Sequence, residues 1–120
     1  DPPVEFDQLA AGEKPEGPAA IRERVDAARA RQLRRYRNTA LTCNAQIPAG
    51  LLREACPLTA AAERLLRGAF DRLGLSARAY DRLLKVARTI ADLDGADTVD
   101  TGHVAEAVQY RSLDRKYWQE

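Results

Sequence analysis

The side chains best suited to chemistry in this sequence are arginines, with 16 of them against 3 lysines, 1 histidine and 2 cysteines. Arg78, Arg82 and Lys85 follow one another at spacings of four and three, which puts them on one face of a helix. Arg78 falls in the first turn of that helix, where a guanidinium could pair bidentately with a phosphate carried by another domain. A plain solvated stripe is the alternative interpretation of this spacing.

A second basic cluster lies between Arg22 and Arg37, where seven arginines stand against two acids, a local balance of +5. Such a helix could lie along a phosphate backbone, since arginine and lysine contacts to phosphates dominate nucleic-acid affinity. The candidate nucleic-acid contacts in it are Arg31, Arg34 and Arg35. A basic face interspersed with acids is also typical of a solvated helix surface.

Other kinds of chemistry find little support. The 7 glycines are scattered, and no Gly-rich loop followed by Lys and Ser or Thr is present to cradle a phosphate. This chain is therefore not expected to hydrolyse ATP alone. His103 has no second ligand at a convincing spacing, which favours a capping or surface role, and Cys43 and Cys56 read as ordinary thiols. No catalytic residue and no metal site is predicted.

Composition indicates a folded, soluble protein. Of 120 residues, 45% are hydrophobic and 31% charged, a balance that can bury a core. The net charge of +1 gives no global field for nonspecific binding to nucleic acid or membrane. Without a signal peptide or a long apolar run, we expect a cytoplasmic protein with no membrane partner. A chain that opens at Asp1 is expected to be a piece of a longer one.

Apolar periodicity predicts helices throughout and essentially no sheet. Residues 1–17 are acidic and aperiodic, which suggests a connecting segment. The first helix is predicted from Pro18 to near Asn38. The positions that repeat at helical spacing in it are Ile21, Val25, Ala28, Gln32 and Tyr36.

Capping residues delimit the later helices. A short amphipathic turn is predicted over Ala49–Ala55, and Thr59 is expected to cap a helix that ends at Gly74. Ser76 caps the next, which has the clearest periodicity and runs to Asp94. Asp100 or Thr101 caps the last, before a mixed tail from Tyr110.

These elements predict an all-α bundle of about four to five helices, comprising residues 18–115, with 116–120 as a tail. The two long central helices should supply most of the core, and the last helix should turn Val104, Ala107 and Val108 inward. The core residues predicted between the two central helices are Leu66, Phe70, Leu83, Leu84, Ala87 and Ile90.

The segment LGLSARAYDRLLKVARTIADLDGADTVDTGHVAEAVQYRSLDR, residues 73–115, resembles the C-terminal domain of magnesium-chelatase-like AAA+ ATPases of the ComM/YifB type. The stretches AAIRERVDAARARQLRRY and LLREACPLTAAAERLL resemble the same proteins, so the likeness runs from about residue 19 to 115. The resemblance implies a helical lid over a nucleotide, with the P-loop and Walker B motifs in a preceding core domain. PPVEF near the start resembles the segment that leaves that core.

The resemblance also implies roles for particular residues. The S-x-R pattern gives Arg78 the part of the sensor-2 arginine that reaches the γ-phosphate, and Arg82 and Lys85 become possible contacts to nucleotide or a neighbouring subunit. The full-length protein would bind ATP and Mg²⁺, neither of which this chain would bind alone. Its partners would be its own ATPase core and further copies in a homo-hexameric ring.

The resemblance leaves the substrate open. ComM-type members are associated with DNA branch migration, so a motor that acts on DNA is implied, whereas chelatase relatives drive metal insertion into porphyrin. The wording RAYDRLLKVARTIADL is closer to the ComM/YifB branch. Two alternatives from other classes remain, namely a small nucleic-acid-binding module that uses the Arg22–Arg37 helix and a plain protein-interaction bundle.

Overall fold

The computed structural model describes residues 16–118, and the side chains of residues 16–111. Five α-helices follow one another along this part of the chain, which confirms the predicted all-α bundle. The helices are α1 Pro18–Arg35, α2 Ala49–Ala55, α3 Ala60–Leu73, α4 Ala77–Leu93 and α5 Thr101–Trp118, with a 3-10 turn at Asn44–Gln46. The predicted connecting segment 1–17 falls almost entirely outside the described residues.

Side-chain caps begin α3 and α4 as predicted. The Thr59 hydroxyl accepts a hydrogen bond from the Ala62 N–H at 3.1 Å, and the Ser76 hydroxyl accepts one from the Ala79 N–H at 3.1 Å. These bonds satisfy amide donors that have no partner inside the helix. Gly74 ends α3 with φ +60°, a left-handed conformation that costs glycine little.

Two helix ends differ from the sequence prediction. The first helix ends at Arg35, not near Asn38, and residues 36–38 form a turn in which Asn38 takes φ +66°. Asparagine tolerates that region better than most side chains, so the turn is local chemistry and not a continuation of the helix. Past Tyr110, where a mixed tail is predicted, α5 continues to Trp118, since no glycine or proline interrupts it.

The starts of α3 and α5 are joined by hydrogen bonds. The Thr59 hydroxyl donates to Asp100 Oδ1 at 3.0 Å, and Asp100 Oδ1 also accepts from the Thr101 N–H at 2.8 Å. An isolated parallel β-bridge between Leu58 and Val99 lies beside them. The backbone N–H of Thr59 donates to the Val99 carbonyl at 3.0 Å, and that of Val99 donates to the Pro57 carbonyl at 2.9 Å.

The core forms around α4, which packs against α1 and α5, while α3 packs against α5. Leu83, Leu84 and Ala87 of α4 are buried, as is Leu66 of α3, and Ile90 packs partly buried against them. In α5, Val104 and Ala107 are buried and Val108 is half-buried, as predicted. Tyr36, the last position of the predicted stripe in the first helix, is buried at the C-cap of α1. The loops add core residues that helical periodicity does not reveal, namely Ile47, Cys56, Leu75 and Val99.

Phe70 does not lie in the core, contrary to the prediction, since its side chain is 37% exposed. Ala62, Leu66 and Ala69 form the buried face of α3, and Phe70 lies about 100° around the helix from Ala69. Its ring packs edge-on against Tyr80, with 5.7 Å between centroids and 84° between planes. Phe70 therefore covers the junction between α3 and the start of α4.

Replacement of Leu84 by alanine is expected to lower the free energy of unfolding by about 2–5 kcal/mol, because the side chain is 1% exposed and leaves a cavity. Denaturant titration followed by circular dichroism measures this loss. Leu33→Ala is the matched control, because Leu33 is 58% exposed and its truncation removes little buried surface. Equal losses in the two variants would contradict this assignment of the core.

Candidate functional site

Arg78 lies in the first turn of α4, one residue after the helix begins. Its side chain is exposed and makes no hydrogen bond or ion pair with any other described residue. No acidic residue stands in that turn, so the partial positive charge of the helix N-terminus adds to that of the guanidinium. The start of α4 therefore presents a cationic group suited to an anion supplied from outside the bundle.

Arg82 and Lys85 follow Arg78 on the same face of α4. Arg82 is exposed, whereas Lys85 is half-buried and its Nζ donates to the Ala45 carbonyl at 3.4 Å. Lys85 is thus engaged with the loop that carries the 3-10 turn. The predicted basic face exists, and Arg78 stands at its N-terminal end.

An aromatic pair fixes the helix turn that carries Arg78. Tyr80 receives the edge-on contact of Phe70 from α3, and its hydroxyl accepts a hydrogen bond from Arg53 Nη2 of α2 at 3.4 Å. The start of α4 is therefore held by α2 and α3 together. Such support lowers the entropy cost of presenting Arg78 in one direction.

The opposite end of α4 carries a buried ionic cluster formed by Arg35, Asn44, Arg88 and Asp92, here called the Asp92 cluster. Arg35 of α1 forms a bidentate pair with Asp92, with Nη2 donating at 2.6 Å and Nη1 at 2.9 Å to its two carboxylate oxygens. Asn44 Nδ2 donates to the same carboxylate at 2.9 Å. The cluster thus joins α1, the 3-10 turn and α4.

Arg88 is the largest fully buried side chain among the described residues, at 1% exposure. Its guanidinium donates to the Asp97 carbonyl at 2.8 Å and to the Ala96 carbonyl at 2.5 Å, and Nη2 lies 3.1 Å from Asp92 Oδ1. Its Nε has no partner in the described part of the chain. Arg88 therefore holds the loop after α4 against the helix.

The electrostatics of the Asp92 cluster favour its charged form. Burial alone would raise the pKa of Asp92, but the hydrogen bonds from Arg35 and Asn44 and the charge of Arg88 bring it below its usual range. The hydrogen bond to Asp92 raises the pKa of Arg35, whereas burial lowers the pKa of Arg88. One carboxylate between two arginines leaves the cluster with a formal charge of +1.

The three arginines predicted as nucleic-acid contacts differ in their surroundings. Arg31 donates to Asp97 Oδ1 at 2.9 Å and to the Gly95 carbonyl at 2.8 Å, and Arg35 belongs to the Asp92 cluster. Arg34 is exposed and has no hydrogen bond or ion pair among the described residues. Two of the three side chains therefore hold α1 on the bundle.

An open groove of about 520 Å³ runs beside these arginines. Its lining is mixed in charge and comprises Arg31, Arg34, Arg35, Glu54, Ala55, Pro57, Arg88 and Asp97. Arg31, Arg35 and Arg88 are already bonded within the chain, so Arg34 is the cation that the groove offers to solvent. Two carboxylates in the lining weaken its attraction for anions.

The Asp92 cluster was missed at the level of sequence, although a signal for it exists. Arg88 and Asp92 stand at i and i+4 within the buried face of α4, in line with Leu84. Charged residues on an apolar helix face need partners once they are buried. The two charged residues on the apolar face of α4 therefore indicate a buried ion pair. They do not reveal that Arg35 and Asn44 also bond to Asp92.

His103 caps α5, as expected for the single histidine. Its Nδ1 accepts a hydrogen bond from the Asp100 N–H at 3.0 Å, so the proton of the neutral ring lies on Nε2, which is 2.9 Å from Asp94 Oδ2. Cys56 is buried, with its thiol directed to the Leu84 carbonyl at 3.8 Å. Burial raises the pKa of this thiol to about 11, so it is a poor nucleophile near neutral pH.

The described residues contain neither a metal-ligand cluster nor a helix that could span a membrane. Among residues 16–111, whose side chains the structure describes, no group of three or more His, Cys, Asp or Glu side chains is arranged to hold a metal ion. Among the helices described between residues 16 and 118, none combines the length and apolar character needed to cross a bilayer.

Comparison with known proteins gives a consistent set of matches. The family described as magnesium chelatase, subunit ChlI C-terminal, matches residues 15–111. The uncharacterized protein YifB of Escherichia coli is 44% identical over 100 residues, which are 83% of this chain and 19% of that protein. The competence protein ComM of Haemophilus influenzae is 39% identical over 104 residues, or 87% of this chain and 20% of that protein. The chain thus spans about a fifth of the length of these relatives.

Substitution of Asp92 by asparagine is expected to lower the free energy of unfolding at pH 7 by about 3–5 kcal/mol, because Arg35 and Arg88 lose their buried counter-charge. The loss should shrink in acid. A carboxyl whose pKa is lower in the folded state stabilises the fold above its unfolded pKa of about 4, and this stability disappears as pH falls through the folded pKa.

Denaturant titrations from pH 7 to pH 2 measure this convergence of wild type and Asp92→Asn. Asp97→Asn is the matched control, because Asp97 pairs with Arg31 but its side chain is 94% exposed. Its stability should stay close to that of the wild type at pH 7. A pH-independent gap between Asp92→Asn and wild type would contradict a charged Asp92 in the folded protein.

Proposed function

Because this chain belongs to the magnesium chelatase ChlI C-terminal family and is similar to YifB and ComM, we propose that it is the helical lid domain of an AAA+ ATPase. The relatives are about five times as long as the matched region, which leaves room in them for a core domain. The all-α fold agrees with a lid. Under this proposal the chain supplies side chains to an ATP site and has no hydrolytic activity alone.

Arg78 is the residue that we propose for that site, as a sensor-2 arginine that binds the γ-phosphate of ATP held by the core. The observation that carries this proposal is that Arg78 is exposed at the start of a well-supported helix and uses none of its donors within the described residues. A guanidinium keeps its charge at all relevant pH values, and its forked donors match phosphate oxygens. Arg82 and Lys85 are proposed as secondary contacts to nucleotide or a neighbouring subunit.

The described residues fit the phosphate part of the ligand and not its metal. They offer a cationic side chain at a helix start, whereas no cluster of acidic and histidine ligands for Mg²⁺ is found among them. The core would therefore provide the metal ligands and the phosphate loop. Arg78 would link the position of this domain to the presence of the γ-phosphate, since loss of that phosphate removes its bonding partner.

The wider assembly is proposed from the relatives. We propose a homo-hexameric ring of the full-length protein, a motor that acts on DNA, and a cytoplasmic location. The Haemophilus relative is named a competence protein, and its 39% identity to this chain supports the ComM side of the proposal. Metal insertion, as in a chelatase subunit, is the alternative within this class, and the family description supports it.

A nucleic-acid-binding module is the second candidate from a different class. The observation in its favour is the exposure of Arg34, which lies on α1 and carries no internal bond among the described residues. Arg29 and Arg37 are also exposed on this part of the chain. Against it, Arg31 and Arg35 are committed to Asp97 and Asp92, so fewer cations remain than the sequence suggests.

Replacement of Arg78 by alanine in the full-length protein is expected to reduce the ATPase rate about 10- to 100-fold, the equivalent of a lost charged hydrogen bond of about 1.5–3 kcal/mol. Steady-state hydrolysis measures the rate, and circular dichroism checks the fold. Because Arg78 bonds to no described residue, stability should not change.

Arg64→Ala provides the matched control for Arg78, because Arg64 is an exposed arginine on α3 and is not part of the proposed site. Its ATPase rate should equal that of the wild type. Full activity of the Arg78→Ala variant would reject the sensor role. Hydrolysis by the isolated, pure chain would reject the lid proposal altogether.

For the nucleic-acid candidate, Arg34→Ala in the isolated chain is expected to lower the slope of log affinity against log salt by about 1, the share of one phosphate contact. Fluorescence anisotropy with a short DNA duplex over a salt series measures it. Arg72→Ala on α3 is the control that should keep the slope, because it is an exposed arginine away from α1. No binding at low salt would eliminate this candidate.

A further inference from the structure

The inward-facing stripe of α1, which is apolar except for Gln32 and ends at the C-cap residue Tyr36, is only partly covered by the bundle. Its members recur at helical spacing, namely Ile21, Val25, Ala28, Gln32 and Tyr36. Ala28, Gln32 and Tyr36 are buried against the rest of the chain. Ile21 is 46% exposed and Val25 is half-exposed, although both continue the same face of the helix.

The uncovered part of α1 is a distinct segment, residues 18–27, here called the overhang. Every residue of the overhang is exposed except Val25, so the contacts of α1 with α4 come from its second half. Short helical segments without tertiary support are marginal in water. The overhang keeps a stripe suited to packing, but the described residues supply nothing for it to pack against.

Charge also separates the overhang from the remainder of α1. Arg22 and Arg24 in it are balanced by Glu23 and Asp26, so residues 18–27 are neutral overall. Arg22 pairs with Asp26 at 3.5 Å, and Arg24 pairs with Glu16 at 2.7 Å. Residues 28–37, by contrast, contain five arginines and no acid. A surface that fits the overhang therefore needs apolar area and no net charge.

We propose that the overhang is an interface for the domain that precedes α1 in the full-length protein, with Ile21 and Val25 as its apolar contacts. This inference rests on the proposal that the chain is the C-terminal lid of a longer ATPase. The matched relatives are about five times as long, and the matched family is a C-terminal one, so their remaining length lies largely before this region.

The position of the overhang makes such docking efficient. A domain joined to the N-terminus of α1 is tethered next to Ile21, and a short tether gives an effective concentration in the millimolar range. Two apolar side chains then suffice for an intramolecular contact that would be too weak between free partners. Docking would also give the lid a fixed direction relative to the domain before it.

Amide hydrogen exchange tests this interface without nucleotide. In the isolated chain, the amides of residues 18–27 should exchange fast, whereas those of buried α4 are protected. In the full-length protein, the same amides should exchange at least about tenfold more slowly, because docking suppresses local opening. Equal rates in the two proteins would overturn the proposal. Slow exchange in the isolated chain that depends on its concentration would also overturn it, since a second copy would then be the occupant.

A pair of double variants identifies the stripe as the contact. Ile21→Asp with Val25→Asp should restore fast exchange of residues 18–27 in the full-length protein, while the buried amides of α4 stay protected. Ala20→Asp with Ala27→Asp adds the same charge on the exposed side of the helix and should keep the protection. If both double variants retain protection, the stripe is not the contact and the proposal fails.

The outcome is distinguishable from that of the lid proposal. Exchange protection is read without ATP and does not require Arg78. An unaltered ATPase rate in the Arg78→Ala variant rejects the sensor role and leaves a protected overhang in place. Fast exchange of the overhang in an Arg78-dependent ATPase rejects only the interface.

Discussion

The bidentate pair between Arg35 and Asp92 is the interaction on which the arrangement of this domain depends. It is the point at which α1, the 3-10 turn and α4 meet. The apolar contribution of α1 to the core is small, since Ala28 and Tyr36 are its buried apolar positions, the latter at its C-cap. A buried ion pair adds little net stability because desolvation opposes its attraction, but it tolerates few alternative geometries. Charge, more than apolar area, therefore sets how α1 lies on α4.

This constraint divides α4 into two ends with different tasks. Its C-terminal end is occupied by the Asp92 cluster and by Arg88, whose donors hold the following loop. Its N-terminal end is packed by the Phe70–Tyr80 pair and leaves Arg78 unengaged within the described residues. One continuous helix therefore joins the point at which α1 is held to the exposed Arg78. That geometry suits a domain proposed to respond to a phosphate.

Local sequence signals predicted most of the helical elements. They failed for side chains whose burial or bonding depends on residues far away in the sequence. Thr59, Ser76 and Gly74 mark helix ends through bonds within a few residues, so the sequence alone predicts their roles. Phe70 is of a residue type common in cores but lies at the edge of the buried face of α3. Its edge-on ring contact depends on the position of Tyr80, which the sequence does not reveal. Arg31, Arg34 and Arg35 are indistinguishable by type and spacing. Arg31 and Arg35 bond to Asp97 and Asp92, which lie more than 50 residues away in the sequence, and so hold α1 on the bundle.

The bonds between the starts of α3 and α5 have a mechanical consequence. The Leu58–Val99 bridge and the Thr59–Asp100 hydrogen bond close the chain on itself, so that α3 and α4 form a loop between two joined points. Tension applied along the chain, from α1 at one end to α5 at the other, would pass through this junction before it reached α3 or α4. The helix that carries Arg78 is thereby shielded from a pulling force until those few hydrogen bonds yield. In a protein that exerts force on a substrate, such a junction would limit the force that reaches α4 and would keep Arg78 in position.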